Sequence, residues 1–232
     1  MKLLGLVLCI VVAGTAWLHF SASVENTPSR PITAESLRHE AHTVESVGDI
    51  LSALIDPKKL ATLKGDRAAN RRLRIVVYWL ETAKRASLEP AEVLEFAQRK
   101  TGYFGSPRAS EDTAALLRNR TILERLGCLD GDGMENLRVG RAPTVKRGPY
   151  AGEIASVDHI IPRSVTPELD EALFNLEFMP ASLNRRKAAL VGDRQRALAN
   201  IWRRMGLLSN GGLEAVLKSP VPNSAGEKRA DH

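Results

Sequence analysis

The scarcity of cysteine limits how this chain can fold more than any other feature of its sequence. Its 232 residues include only two cysteines, and Cys9 lies within an apolar N-terminal run. Once that run is set aside, Cys128 is the single remaining thiol, so no internal disulfide is expected. Paired cysteines for a zinc ion are missing in the same way, and no structural zinc is expected. The fold must therefore be held together by the packing of apolar side chains.

The apolar run covers residues 3–20, follows Lys2, and is followed by the small residues Ser21, Ala22 and Ser23. This order is typical of a secretory signal, and we favour cleavage after Ser23. The alternative is an uncleaved membrane anchor, because the run is almost as long as the ~20 residues that span a bilayer. Both interpretations predict an exported protein, which is either periplasmic or secreted, or anchored with its folded part outside the cytoplasm.

The next part of the chain is predicted to be helical. Residues 1–23 form the signal peptide or anchor, and residues 24–33 are a polar linker that contains two prolines. Residues 34–128 are predicted to form a helical domain, because apolar residues recur there at helical spacing. The predicted helices cover residues 34–55, 66–86, 90–100 and 111–126.

The pattern changes after Cys128. Glycine and proline recur over residues 129–152, which predicts loop and short strand, with a tight turn at Asp130 rather than a calcium loop. Strands are predicted over residues 153–161 and 175–179, and a helix from residue 180 to about 208. Residues 129–217 therefore form a strand–loop–strand–helix module with a C-terminal helix, and residues 218–232 a disordered tail. The predicted class is α+β, with a mainly helical N-terminal half.

Residues 158–190 are the most informative stretch. Asp158 and His159 lie in the first predicted strand, Asn175 opens the second, and Asn184 lies in the following helix. In residue types and order this stretch resembles the HNH, or ββα-metal, nucleases, in the sub-type where aspartate precedes the histidine and asparagine replaces the last histidine. The resemblance implies a ββα-metal module in which His159 is the general base, Asp158 and Asn184 bind a metal ion, and Asn175 steadies the loop.

The chemistry of these side chains agrees with that implication. A neutral imidazole accepts a proton from water near neutral pH. Carboxylate and amide oxygens are hard donors, which favour one Mg²⁺ or Mn²⁺ ion, and no small-molecule cofactor is expected. Because residues 184, 188 and 191 share a helical face, Asn184 is expected to point toward Asp158. Glu153 has the strand parity of His159 and is predicted to orient that ring or a water, unless it is a plain exposed glutamate.

The basic character of the chain points to an anionic partner such as nucleic acid. The formal net charge is +6, and loss of residues 1–23 removes only Lys2, which leaves +5. Positive charge favours phosphate backbones electrostatically, although solvated surface charge is the default interpretation. The side chains predicted to contact nucleic acid are Arg141, Lys146, Arg147, Arg163, Arg185, Arg186 and Lys187.

Together these features predict an exported, metal-dependent nuclease, with DNA favoured over RNA as substrate. The alternative is a non-catalytic nucleic-acid-binding protein of the envelope, and a purely structural envelope protein is a third interpretation. His159 separates the first two, because a protein that only binds nucleic acid does not need a general base.

Overall fold

A computed structural model describes residues 42–63 and 68–220, which form nine α-helices, two short 3-10 helices and one two-stranded antiparallel sheet. The predicted α+β class is confirmed. The predicted signal or anchor, the linker and residues 221–232 of the predicted tail lie outside the described residues. Within these ranges no helix is both long enough and apolar enough to cross a bilayer. The helices are α1 (Val44–Ile55), α2 (Pro57–Leu60), α3 (Ala68–Arg85), α4 (Pro90–Thr101), α5 (Pro107–Arg125), α6 (Gly131–Arg138), α7 (Ala181–Lys187), α8 (Asp193–Arg204) and α9 (Asn210–Lys218).

Capping residues set where the first helices begin. The Thr43 hydroxyl accepts a hydrogen bond from the Ser46 N–H, and the Ser46 hydroxyl accepts one from the Thr43 N–H, which forms a capping box for α1. Helix α5 begins four residues before the predicted position, because Ser106 caps it and Pro107 occupies its first turn. Helices α3 and α4 end within one residue of their predicted C-terminal limits.

The prediction of loop over residues 129–152 is wrong for helix α6. Asp130 caps this helix by accepting a hydrogen bond from the Gly133 N–H at 2.7 Å. A Cβ atom at Gly133 would lie 1.9 Å from the Cys128 carbonyl oxygen, so glycine is required there by close approach. The predicted tight turn at Asp130 is therefore the N-terminus of a helix.

The prediction of one continuous helix from residue 180 to 208 is wrong. Helix α7 ends at Lys187, because Ala188 adopts φ 47° and ψ −132°, a conformation that L-residues rarely take. Helix α8 begins only at Asp193, where the Gly192 N–H donates to the Gln195 side chain. Residues 188–192 connect α7 to α8.

The sheet is a hairpin of strands β1 (Ala155–His159) and β2 (Leu176–Pro180). Asp158 pairs with Glu177 in the antiparallel register. Strand β1 is shorter than the predicted 153–161 by two residues at each end, and β2 is displaced by one residue from the predicted 175–179. Ala155 and Val157 are buried, whereas Ser156 and Asp158 are half-buried, as alternation across a sheet requires.

The helical residues and the hairpin share one apolar core. Its larger cluster joins side chains of α1, α3, α4 and α5 to Ala155 and Val157 of β1 and to Leu176 and Phe178 of β2. A second cluster surrounds Trp202 of α8, which is 1% exposed. Cys128 is a free, fully buried thiol, and burial raises its pKa to about 12. Packing of the hairpin against the helical residues therefore holds the module, as the lack of cysteines predicts.

Two polar side chains of α5 connect this helix directly to the hairpin. The Asn119 amide donates to the Leu176 carbonyl oxygen at 2.8 Å and accepts from the Phe178 N–H at 2.8 Å, so it pairs with the outer edge of β2. The Asp112 carboxylate accepts from the Phe174 N–H at 3.1 Å, just before β2. Both side chains are fully buried. Helix α5 thus fixes the position of β2 through hydrogen bonds as well as through apolar packing.

Candidate functional site

The predicted base and metal ligands, His159, Asp158 and Asn184, line one cleft of about 390 Å³. Strand β1 contributes Asp158 and His159 to its wall, and helix α7 contributes Asn184. This volume lies in the range of ligand-binding pockets in proteins. The cleft is also lined by two side chains of α3, Asn70 and Arg74, and by residues of the loop that follows β1, among them Arg163 and Ser164.

Asp158 already holds a cationic group. The Lys187 ammonium lies 2.5 Å from Oδ2 of Asp158 and donates a second hydrogen bond to the His159 carbonyl oxygen at 2.6 Å. The Lys187 and Asp158 side chains are 18% and 14% exposed, so solvent screens this ion pair only in part. Lys187 is predicted to contact nucleic acid with Arg185 and Arg186, and the structure places its ammonium against Asp158. The last turn of α7 directs the ammonium back to β1.

The loop between the strands holds the His159 ring. Its Nε2 atom lies 2.9 Å from the Asp170 carbonyl oxygen and 3.0 Å from Oδ1 of Asp170. A carbonyl oxygen only accepts hydrogen bonds, so Nε2 is the protonated nitrogen of the neutral ring. Nδ1 is then the nitrogen that accepts a proton. The ring keeps 13% of its surface exposed and lines the cleft.

Asn184 is held on the same face of the hairpin as Asp158. Its Nδ2 atom donates to the Ser156 hydroxyl at 3.1 Å, and that hydroxyl donates to the Met179 carbonyl oxygen at 3.2 Å. Ser156 and Asp158 are two residues apart on β1, so their side chains lie on one face of the strand. With its nitrogen committed to Ser156, the Asn184 amide presents its oxygen as the group available to another partner.

Asn175 joins the two ends of the loop between the strands. Its side chain accepts from the Ile161 N–H at 2.8 Å and donates to the carbonyl oxygens of Ile161 and Leu169 at 3.0 and 3.3 Å. The residue is fully buried. Both halves of its amide are therefore satisfied, and the chain leaving β1 is fixed to the chain entering β2. This bonding keeps residues 160–175 in a defined path past His159.

The structure gives Glu153 a contact that differs from the predicted one. Oε2 of Glu153 accepts a hydrogen bond from the Ser182 N–H at 2.8 Å, in the first turn of α7. The hydrogen bond from the Ser182 N–H lowers the pKa of Glu153. The carboxylate that contacts the His159 ring is Asp170. Orientation of the histidine by Glu153 is thus a wrong prediction, and Glu153 instead caps the helix that carries Asn184.

Apart from Lys187, the side chains predicted to contact nucleic acid fall into two groups. The first group lies on the loop after β1 and on α7. Arg163 lines the cleft, and its Nη1 atom lies 3.8 Å from Oδ2 of Asp170. Arg185 and Arg186 are exposed on α7, where Arg186 donates to the Tyr150 hydroxyl at 3.2 Å. The second group lies on the segment between α6 and β1, is exposed, and does not line the cleft: Arg141, Lys146 and Arg147.

Three side chains at this site were not identified from the sequence. Asp170 lies in a loop whose path no periodicity predicts, and Asn70 and Arg74 lie on α3, more than 80 residues before the motif. The one available signal was the spacing of Asn70 and Arg74, which places both on one face of a helix. That face cannot be connected to the motif without knowing how α3 packs.

The donor set at the cleft fits a small divalent cation. The Asp158 carboxylate and the Asn184 amide oxygen are hard donors on one face of the hairpin, and Asp158 already pairs with a cation in the form of the Lys187 ammonium. No group of three or more His, Cys, Asp or Glu side chains suited to a metal occurs within residues 42–63 and 68–220. Two protein ligands are sufficient for magnesium, which usually keeps several waters.

Comparison of the chain with models of protein families, with curated proteins and with solved structures finds no match.

Proposed function

We propose that this protein is a metal-dependent nuclease of the HNH type that hydrolyses phosphodiester bonds in the cleft between β1, α7 and α3. One observation carries the proposal: an imidazole, a carboxylate and an amide, chosen from the sequence as base and metal ligands, line a single cleft. They come from a strand and a helix separated by a 16-residue loop and a second strand, so their convergence at one cleft supports the proposal.

His159 activates the attacking water in this proposal. Hydrogen bonding of Nε2 to Asp170 leaves Nδ1 to take the proton of a water in the cleft. The water oxygen forms a bond to phosphorus, the bond from phosphorus to the leaving oxygen breaks, and solvent protonates that oxygen. Asp170 acts as a positioning residue, because it fixes the tautomer and the orientation of the ring.

Asp158 and Asn184 would hold the divalent cation, which when bound supplies positive charge to the phosphate and the leaving oxygen. The chain adds fixed charge of its own. Arg163 and Arg74 line the cleft, and Lys187 places an ammonium beside Asp158. These groups favour binding of a phosphate backbone through charge, which is independent of base sequence.

The direct test is cleavage of plasmid, linear duplex, single-stranded DNA and RNA with Mg²⁺ or Mn²⁺ by the full chain. We expect His159→Ala to lower the rate by roughly 10²- to 10⁴-fold, because the general base is lost, while binding of uncleaved substrate stays within about twofold of the parent. His42→Ala is the matched control, because His42 makes an edge contact with Trp79 and does not line the cleft. Equal cleavage by the parent and His159→Ala would contradict the assigned role of His159.

The ion pair between Lys187 and Asp158 supports a second candidate, a non-catalytic nucleic-acid-binding protein. If the ammonium is the permanent partner of Asp158, the carboxylate is satisfied without a metal. This candidate predicts binding of oligonucleotides with no cleavage by the parent under any of the metals. It also predicts no saturable binding of Mn²⁺ by the parent in isothermal titration calorimetry, whereas the nuclease predicts a site that is weakened by Asp158→Asn.

A further inference from the structure

The wall of the cleft formed by α3 contains a polar group that the nuclease mechanism does not use. We infer that Asn70 forms a recognition site for a hydrogen-bond donor on the nucleotide next to the scissile phosphate, either an amino or imino group of the base or a ribose hydroxyl. This inference rests on the proposed nuclease function. It assigns substrate recognition to the helical half, for which the sequence predicts only a helical domain.

The bonding of Asn70 differs from that of the other buried asparagines. Asn119 and Asn175 are buried in the described part of the chain, and each accepts through its oxygen and donates through its nitrogen. Asn70 is 4% exposed, and its Oδ1 atom is buried without a hydrogen-bond partner. A buried amide oxygen without a partner costs stability, and a hydrogen bond from a bound ligand would remove that cost.

The position of Asn70 indicates what that function is. Asn70 lines the same cleft as Asp158, His159 and Asn184, so a substrate held at the catalytic groups lies beside it. Arg74, one turn further along α3, lines the cleft as well and anchors this helix by donating to the Gly140 carbonyl oxygen at 3.3 Å. The Asn70 amide is thus carried by a fixed helix rather than by a flexible loop.

The chemistry of the unsatisfied atom limits the ligand. A carbonyl oxygen only accepts, and the non-bridging oxygens of a phosphodiester also only accept, so Oδ1 of Asn70 does not bind the phosphate itself. Bases carry amino and imino donors, and ribose carries the 2′-hydroxyl, which distinguishes RNA from DNA. A substrate that lacks a donor at this point leaves Oδ1 unsatisfied inside the complex, which is the basis of discrimination.

The test is binding of fluorescent oligonucleotides to the full chain in the His159→Ala background, measured by anisotropy with Mg²⁺ present. The probes are single-stranded RNA, single-stranded DNA of the same sequence, and an abasic DNA strand of equal length. We expect Asn70→Leu to weaken binding by roughly 3- to 10-fold, the effect of one hydrogen bond between neutral groups. A loss confined to RNA identifies the ribose hydroxyl as the donor, and a loss on RNA and DNA but not on abasic DNA identifies the base.

Thermal melting separates recognition from a structural role. Asn70→Leu removes an unsatisfied buried oxygen at nearly constant volume, so we expect an unchanged or higher Tm, whereas a structural asparagine would give a lower one. Asn70→Ala is the second variant if leucine disturbs the helix, and Asn200→Leu, exposed on α8, is the control.

Equal affinities of the parent and both Asn70 variants for all three probes, or an equal loss of affinity for abasic DNA, would overturn the inference while the nuclease proposal stands. Failure of the parent to bind any probe would overturn both.

Discussion

The hairpin is held differently on its two sides, and the difference separates the fixed part of the site from the part that can change. Along the outer edge of β2, helix α5 contributes fully buried side chains that hydrogen-bond to backbone groups, with Asn119 pairing to Leu176 and Phe178. On the face toward α7 the contacts join half-buried side chains to one another, as between Asn184 and Ser156 or between Lys187 and Asp158.

This comparison indicates a division of tasks. Backbone groups bonded inside a core have no alternative partner, so the α5 side fixes where β2 lies. Half-buried side chains can exchange one partner for water, an ion or a substrate at little cost. The α7 face therefore has the properties of a binding surface, and α5 has those of its support. Three predictions test this difference, from the largest expected effect to the smallest.

The largest effect is expected at Asn119. Replacement by leucine keeps the volume but leaves the Leu176 carbonyl and the Phe178 N–H buried without partners. Each such group costs about 1–3 kcal/mol, so we expect the free energy of unfolding to fall by about 2–6 kcal/mol in urea denaturation. Asn184→Leu on the opposite face is the matched control, with an expected loss of about 1 kcal/mol or less. A larger loss for Asn184→Leu than for Asn119→Leu would reverse the assignment of the two sides.

The second effect is a pH dependence that originates at Asp112. Burial raises the pKa of this carboxyl from 3.8 to about 7, and the charge of Arg108 offsets that rise only in part. Between these values the folded chain binds more protons than the unfolded chain, so the stabilising contribution is complete below pH 3.8 and is lost as the pH rises through about 7.

Asp112→Asn keeps an acceptor for the Phe174 N–H but does not titrate. We therefore expect the unfolding free energy of the parent, relative to Asp112→Asn, to decrease by about 1–4 kcal/mol between pH 4 and pH 8. Urea titrations of both proteins at four pH values measure this difference. A difference that grows as the pH rises would mean that the carboxylate is stabilised in the folded protein, and that α5 contacts the loop through a charged group.

The third effect concerns the face of the hairpin toward α7. Because the Lys187 ammonium lies against Asp158, a divalent cation competes with it for the same carboxylate. We expect Lys187→Met to tighten Mn²⁺ binding by roughly 10-fold in calorimetric titration, since a nearby like charge is removed. Arg186→Met is the control, because Arg186 lies next in the chain and its side chain bonds to Tyr150. Weaker Mn²⁺ binding by Lys187→Met than by the control would show that the ammonium supports the cation instead of competing with it.

Much of the fold could be predicted from the sequence, and the errors of that prediction have local causes. Helices with an apolar stripe, such as α3 and α4, were predicted closely, and Pro90 marked the start of α4. Helix α6 was missed because Gly133 suggested a turn, whereas this glycine allows the helix to approach the Cys128 carbonyl. The end of α7 was missed because the residues before Gly192 favour helix, and only the tertiary structure places Ala188 at positive φ.

The residues of the candidate site were also predicted only in part. Asp158, His159 and Asn184 were identified because residue type and order along the chain are sufficient for that resemblance. Asp170 and Asn70 were not, since their positions depend on the path of a loop and on the packing of a distant helix. The contact of Lys187 with Asp158 was not predicted, because helical spacing locates the Cα atom and leaves the conformation of a long side chain open.

The amide of Asn119 has a consequence for the behaviour of the protein in solution. A hairpin of two five-residue strands leaves a row of backbone donors and acceptors on its outer side, which is a template for a strand from another molecule. Asn119 hydrogen-bonds to the Leu176 carbonyl oxygen and the Phe178 N–H on that row. A strand from a second molecule would therefore have to displace α5 before it could pair with β2. The same contact that orders the hairpin thus protects concentrated protein from assembly by strand addition at β2.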